Sequence, residues 1–268
     1  METSKDSVSK CRIALIGAGG VATHFGRAFR SKGYPVVQVW SRTPESAAQL
    51  ASLLDTDSTT DLDNVTAAAD LYLVAIKDSA LADVLPRLVK RNPGALYVHT
   101  AGSVPMSIWE GLAARHGVLY PLQTLSKGRP LDPKEVPCFV EANNASDLTL
   151  LMRLCEELTG ESHWASSDMR RALHISAVFA CNFTNHLYAV CQHLLEKHGG
   201  IPFETLLPLI DETARKVHYL PPSEAQTGPA RRDDTNVMNL HLDMLSDEPR
   251  LAEIYKLLSD NIKHYDRL

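Results

Sequence analysis

Ile13-Ala14-Leu15-Ile16-Gly17-Ala18-Gly19-Gly20-Val21-Ala22-Thr23-His24-Phe25-Gly26-Arg27-Ala28-Phe29 decides the fold. Ile13 to Ile16 are four apolar residues in a row, as in a parallel strand buried on both faces. Glycines follow at once, and then a stretch with helical periodicity. The pattern is G-x-G-x-x-A at Gly17, Gly19 and Ala22. Gly17 permits the tight strand-to-helix turn. Gly19, without a Cβ, lets a pyrophosphate approach the backbone, and Ala22 is small enough for the helix to pack on the strand. Gly20 and Val21 open the helix, whose free N–H groups and positive dipole end suit phosphate. A tight turn in some other α/β protein is the plainer reading; the strand–turn–helix setting favours dinucleotide binding.

The residues after this unit extend it. Val36–Trp40 reads as the second strand and ends in Ser41-Arg42-Thr43. An NAD site places an acidic residue there to bind the ribose 2′-hydroxyl. Here Ser41 offers a hydrogen bond and Arg42 a charge to a 2′-phosphate, with Thr43 beside them. The expected cofactor is therefore NADP(H); the alternative is that Ser41-Arg42-Thr43 only caps the helix at Pro44–Leu54. Further strands are expected at Asp70–Ile76, Ala95–His99, from Val118, at Cys138–Ala142 and at Ser162–Ala165, with helices at Ala80–Lys90 and Asp147–Leu158. That βαβαβ series with added strands predicts a doubly wound, mostly parallel sheet. Ligands of such sheets sit beyond the carboxyl ends of the strands. Lys77, His99, Thr100 and Ser103 are thus candidates to line the cleft, although Ser103 also suits a helix cap and a lone His99 suits a structural role.

The pattern changes after residue 165. Met169 to His198 reads as one long helix carrying Arg171, His174, Asn182, Asn185 and His186, more polar groups than a buried helix holds without partners. Gly199-Gly200-Ile201-Pro202 ends it. A helix from about Pro202 to Tyr219, an irregular loop at Leu220–Pro229, a helix at Val237–Leu245 and a last helix at Pro249–Tyr265 follow. The expected organisation is an α/β dinucleotide-binding domain over 1–165 and an all-helical substrate and dimerisation domain over 166–268, with no flexible linker between them.

The 268 residues, 22% charged and 44% hydrophobic, fit a globular protein of one or two domains. A net charge of −5 argues against nucleic-acid or acidic-membrane partners. Met1–Lys10 has no apolar signal-peptide core, and no run is long enough to span a bilayer. Cys11, Cys138, Cys155, Cys181 and Cys191 are scattered without a C-x-x-C pair and read as reduced, buried thiols of a cytoplasmic protein. The histidines lack ligand spacing, so no metal is expected.

The Rossmann-type first domain and helical second domain together resemble the superfamily of 6-phosphogluconate dehydrogenase, hydroxyisobutyrate dehydrogenase, ketopantoate reductase and pyrroline-5-carboxylate reductase. Tyr120-Pro121-Leu122-Gln123-Thr124, Arg171-x-x-His174 with Asn182-Phe183, and Thr227-Gly228-Pro229-x-x-Arg232-x-Asp234 narrow the resemblance. They are similar to a family that joins a Rossmann-like domain to a helical domain of unknown function. Its members are commonly labelled NADP oxidoreductases, sometimes by analogy with deazaflavin-dependent reductases; that label follows the fold, and fold does not fix function. The resemblance implies a homodimer built through the helix 169–198, and an active site between the nicotinamide end of the first domain and the helical domain. Thr227-Gly228-Pro229 would lie near that site. Hydroxyacid dehydrogenases of the superfamily carry a catalytic Lys about four residues before an Asn of the long helix. If Asn182 matches that Asn, Val178 stands at the Lys position, and no lysine lies between Lys134 and Lys197.

His174 is the substitute that the sequence offers as proton donor, since imidazole titrates near neutrality. Asn182 would hold the substrate. Ser103, Gln123 and Thr227 are further candidates, and Arg171 or Arg232 would clamp a substrate carboxylate. The expected function is hydride transfer between NADP(H) and a small carbonyl, alcohol or imine substrate carrying an acid group. The alternatives are an NADP-binding sensor or assembly protein without turnover, and a deazaflavin-linked reductase.

Overall fold

The computed structural model describes residues 10–264; the expected signal-free opening at Met1–Ser9 and the end of the last helix at Tyr265 lie outside the described residues. One sheet holds eight strands: β1 (Ile13–Ile16), β2 (Val36–Trp40), β3 (Asp57–Thr59), β4 (Leu71–Val74), β5 (Leu96–His99), β6 (Arg115–Pro121), β7 (Cys138–Ala142) and β8 (Ser162–Trp164). Their order is β3-β2-β1-β4-β5-β6-β7-β8. Neighbours run parallel except β6 and β7, which are antiparallel. The chain winds outward from β1 to β3 and then crosses back to β4. The strand order therefore reverses between β1 and β4, where doubly wound sheets bind their ligands.

Alternation along β1 makes two cores. Ile13 and Leu15 pack with α1 (Gly20–Ser31), α2 (Pro44–Leu54) and α4 (Ala145–Thr159) through Phe25, Phe29, Leu54 and Leu151. Ala14 and Ile16 pack with α3 (Leu81–Leu88) through Leu81 and Leu85. That face also holds Trp109 and the stacked Tyr72–Tyr97 pair, whose ring centroids lie 4.7 Å apart. β3 is not among the expected strands: Asp57-Ser58-Thr59 is short, polar and at the edge of the sheet, where hydrophobic alternation is not required.

At the other flank, Asn144 caps α4 by accepting the Asp147 N–H at 2.9 Å. The buried Asp147 carboxylate takes both arms of Arg115, which opens β6. Burial works against the charge, but the hydrogen bonds from Arg115 and Asn144 win, and the carboxyl titrates below its usual range. Asp147→Ala is expected to cost about 1–3 kcal/mol at neutral pH in denaturant titration. A depressed folded-state pKa contributes stability above the unfolded value, about 3.9, and loses it as pH falls through the folded value. The gap between variant and wild type should therefore close below about pH 4.

The chain continues as α5 (Ser167–Ala177), a π-helical segment at Val178–Phe183, α6 (Thr184–Lys197), α7 (Leu207–Lys216), α8 (Pro222–Ala225), α9 (Thr235–Met244) and α10 (Pro249–Lys263). The expected single α-helix over 169–198 thus carries a wide turn at its centre. The Thr184 hydroxyl donates to the Phe179 carbonyl at 3.1 Å, five residues back, in keeping with that widening. The loop expected at 220–229 contains the single turn α8. The chain separates into two compact units, one ending at His186 and one running from Leu187 to its end, so α5 and the π turn go with the sheet.

Arg170 is the one buried residue of the long helix among those described, and Ile175, Phe179 and Phe183 are exposed. One further expectation is corrected. The five cysteines are free thiols, as expected, but only Cys138 and Cys155 are buried, while Cys181 is exposed on the π turn. No helix among the described residues is long and apolar enough to cross a membrane.

Candidate functional site

Two cavities flank the glycine turn, one of about 540 Å³ and one of about 480 Å³. Both are lined by Gly19, Ala75, Ile76 and Lys77, so they form one cleft beyond the carboxyl ends of β1 and β4.

The turn has the build of a dinucleotide cradle. Gly17 has φ +116°, and a Cβ there would lie 2.2 Å from the Ala75 carbonyl oxygen, so no other residue fits. A Cβ on Gly19 would meet nothing within 4 Å, so the backbone is bare toward the cleft. Gly19 is also the N-cap of α1, which has no side-chain cap and no acidic residue in its first turn. An anion is the natural partner of such an end. Ala22 is fully buried, which leaves it a packing role and no contact with a nucleotide. Gly20 has a duty that the motif does not announce: a Cβ there would lie 2.0 Å from the Leu125 carbonyl oxygen, in the loop after β6. Val21 lines the smaller cavity beside it.

Ser41, Arg42 and Thr43 all line the larger cavity, with Ser46 and Arg87. Thr43 holds the N-cap position of α2, but its side chain makes no cap hydrogen bond, so the helix-cap alternative is not what that side chain does. Arg87 is paired with Asp63 at 2.9 Å. Arg42 has no hydrogen bond or ion pair among the described residues, and its guanidinium is available to an anion.

The smaller cavity brings together His174, Asn182, Lys77, Thr100 and Gln123. His174 Nδ1 and the Tyr120 hydroxyl are 3.2 Å apart, with the rings edge to face. Burial pushes the Tyr120 phenol up from its usual range. Nδ1 is therefore engaged, and Nε2 is the ring nitrogen left for a ligand. In a regular α-helix of 3.6 residues per turn, positions eight apart are rotated by about 80°. The π turn takes more residues per revolution and reduces that offset, which brings Asn182 to the wall that His174 lines. Val178 lines the same wall, and so does Cys181.

Several candidates are placed otherwise. His99 is fully buried, accepts the Ala101 N–H on Nδ1 at 3.2 Å and stacks on Trp109. Burial, helped by the nearby Arg170 charge, pushes its imidazole down to about 3. It belongs to the core. Ser103 donates to Asp78 and does not line the cavity. Arg171 is exposed and paired with Asp168, away from the wall. Gln123 reaches the cavity, but its amide donates to the Glu135 carbonyl at 3.0 Å and accepts the Thr124 N–H at 2.8 Å, so it shapes the loop first. Thr227 and Arg232 lie in the second unit, on turns that lead to the Asp234 cap of α9.

Tyr120, Gly102 and Arg170 were missed as site residues. Tyr120 had a signal, since it stands near the carboxyl end of β6. Gly102 is a steric requirement: a Cβ there would sit 2.6 Å from His174 Nδ1 and 2.8 Å from the Tyr120 ring. Gly102→Ala should push the two rings apart. A displacement of that order is expected to lower turnover about tenfold while nucleotide affinity stays put, read as kcat against nucleotide Kd.

Comparison with known proteins agrees with this architecture. Residues 12–102 match the family model "NADP oxidoreductase coenzyme F420-dependent", and residues 136–262 match "Domain of unknown function (DUF2520)". A search of curated proteins gives no match. Among solved structures, the "putative NADP oxidoreductase BF3122" of Bacteroides fragilis is 49% identical with a TM-score of 0.92, over 96% of this chain and all of that one. Protein TM1727 of Thermotoga maritima is 19% identical, with a TM-score of 0.75 over 94% of this chain and 99% of that one. An imine reductase of Myxococcus stipitatus in complex with NADP+ is 15% identical, with a TM-score of 0.65 over 96% and 94%. The last two share the fold. At 49% identity over nearly the whole of both chains, this chain belongs to the same family as BF3122, in which a domain of the NADP oxidoreductase type is followed by a DUF2520 domain.

Proposed function

We propose that the protein is an NADP(H)-dependent oxidoreductase that reduces a small imine or carbonyl compound. One observation carries the reading: a single cleft runs from Arg42, over the bare backbone of Gly19, to His174. Arg42, Ser41 and Thr43 would hold the 2′-phosphate, Gly19 and the first turn of α1 the pyrophosphate, and Thr100 would face the nicotinamide end. Bound there, the cofactor supplies the hydride. His174 holds the proton at Nε2 and releases it to the substrate nitrogen or oxygen; its Nδ1 stays on Tyr120, which fixes the ring plane. Asn182 orients the substrate by hydrogen bonds. Val178, Ala177 and Pro121 give an apolar wall that keeps water from the reacting carbon. An acid group on the substrate would meet Lys77, the cationic side chain on this wall.

The protein would work as a cytoplasmic homodimer, with the region after residue 165 serving substrate binding and dimerisation. The exposed Ile175, Phe179 and Phe183 support that assignment. Light scattering should give about twice the chain mass.

The test is a fluorescence titration of the wild-type protein with NADPH and NADH. NADPH oxidation is then followed with a panel of cyclic imines, imino acids, aldehydes and keto acids. Tight NADPH binding, weak NADH binding and turnover of at least one class are expected. Binding without turnover of any acceptor would move the reading to an NADP-responsive sensor, and binding of neither nucleotide would remove it.

A further inference from the structure

The innermost buried polar network lies behind His174, and the chemistry above does not use it. Arg170 is 1% exposed although it sits on the first turns of α5. Its guanidinium makes four kinds of contact. Nε donates to the Ala101 carbonyl at 3.3 Å and Nη2 to the Val104 carbonyl. Nη1 donates to Glu141 Oε2 of β7 at 3.2 Å, and Nη2 also reaches the Ser167 hydroxyl at 3.4 Å. Ser167 in turn donates to Glu141 Oε2 at 2.7 Å and accepts the Met106 N–H at 2.9 Å. The two carbonyls taken by Arg170 bracket Gly102, the residue whose missing Cβ makes room for the His174 and Tyr120 rings. His174 is one helical turn beyond Arg170, on the same side of α5.

We propose that Arg170, backed by Glu141 and Ser167, is the positioning residue for His174: it clamps the loop after β5 to α5, so that the imidazole is held on Gly102 and Tyr120 in a fixed orientation. A buried ion pair of this kind gains little net stability over well-packed apolar side chains. What it provides is geometry, since a planar fork with several fixed acceptors has few alternative poses. Lysine cannot reproduce it, because one ammonium cannot reach the Ala101 and Val104 carbonyls and Glu141 at the fork's angles.

The inference rests on the role of His174 proposed above, so the experiment has two arms. In the first, kcat, acceptor KM and NADPH Kd are measured for Arg170→Lys and Ser167→Ala. Ser167→Ala removes one strut and leaves the ion pair, which guards against loss of folding in the lysine variant. For Arg170→Lys, kcat is expected to fall at least about tenfold with NADPH Kd within about twofold, and Ser167→Ala should show a smaller fall of the same kind. In the second arm, the His174 ring Cε1–Hε1 resonance, assigned with His174→Gln, is compared between wild type and variants. It should shift and broaden in Arg170→Lys, while the resonance of His24, in α1, stays in place. Variants that melt earlier but keep both kcat and the His174 resonance would overturn the proposal, because Arg170 would then be a structural residue only. If the wild-type protein turns over no acceptor, the catalytic reading fails, and an unchanged His174 resonance in Arg170→Lys still overturns the positioning role on its own.

Discussion

His174→Ala is expected to lower kcat by about 10²- to 10⁴-fold, the range that a well-placed general acid contributes, with NADPH affinity nearly unchanged. The expectation follows from the composition of the cavity wall. Of the groups that line it, Thr100, Gln123 and Asn182 are not acids near neutrality, and Lys77 lies at the junction with the larger cavity, beside the glycine turn. Tyr120 is driven toward its neutral form by burial, so it can orient a neighbour but gives up a proton reluctantly. Asp78 accepts from Ser103, which leaves the imidazole and the Cys181 thiol, and of these the imidazole is the one oriented by a hydrogen bond to the Tyr120 hydroxyl. His174→Gln keeps a hydrogen-bonding group of similar reach and should lose nearly as much, which would separate proton transfer from shape. Tyr120→Phe removes the partner of Nδ1 and should cost less than either, since the ring remains packed against the Gly102 backbone. If His174→Ala and wild type turned over alike, the proton would come from water, and the wall would serve only to bind.

Much of the fold was legible because a parallel strand covered on both faces reads as an almost unbroken apolar run. The runs at Ile13–Ile16, Val36–Trp40 and Cys138–Ala142 gave strands with the expected bounds, and the glycine turn marked where the cleft opens. β3 escaped because an exposed edge strand of Asp, Ser and Thr carries no pattern to read. Part of the cleft lining was legible because strand ends are sequence positions, so Ser41, Arg42, Lys77 and Thr100 fell where chain order put them.

The helical wall was less legible. Adjacent residues on a helix point about 100° apart, so the choice between Arg170 and Arg171 depends on how α5 lies on the sheet, which no local signal gives. The sequence pointed to Arg171; the structure buries Arg170 and leaves Arg171 at the surface with Asp168. The π turn at Val178–Phe183 has no composition of its own, yet it changes which side chains share a face with His174. His99 and Ser103 show the converse: a strand end is a good place to look for ligands, but the next turn decides whether a side chain enters the cleft or the core. Apolar residues such as Phe179 and Phe183 stand exposed, since hydrophobicity marks a surface to be covered without saying by what.

Arg42→Ala is expected to raise the NADPH Kd about 10- to 100-fold and to leave the NADH Kd nearly alone. A charge-assisted hydrogen bond to a phosphate is worth about 1.5–3 kcal/mol, and each 1.4 kcal/mol is about tenfold in affinity. Arg42 has no competing partner among the described residues, so little of that is returned when the ligand leaves. Ser41 is buried at the end of β2 and has its N–H on the Thr59 carbonyl at 3.2 Å, which fixes the hydroxyl at the rim of the cavity. Ser41→Asp should go further than loss of the cation: a carboxylate at that point repels a 2′-phosphate and accepts the 2′-hydroxyl of NADH, so the preference should reverse. The two nucleotides together separate the roles that Arg42 can have. Stacking on adenine weakens both equally when lost, because both carry adenine. A charge on the 2′-phosphate weakens NADPH alone, and that weakening should shrink as salt is raised, since the contact sits at an open rim.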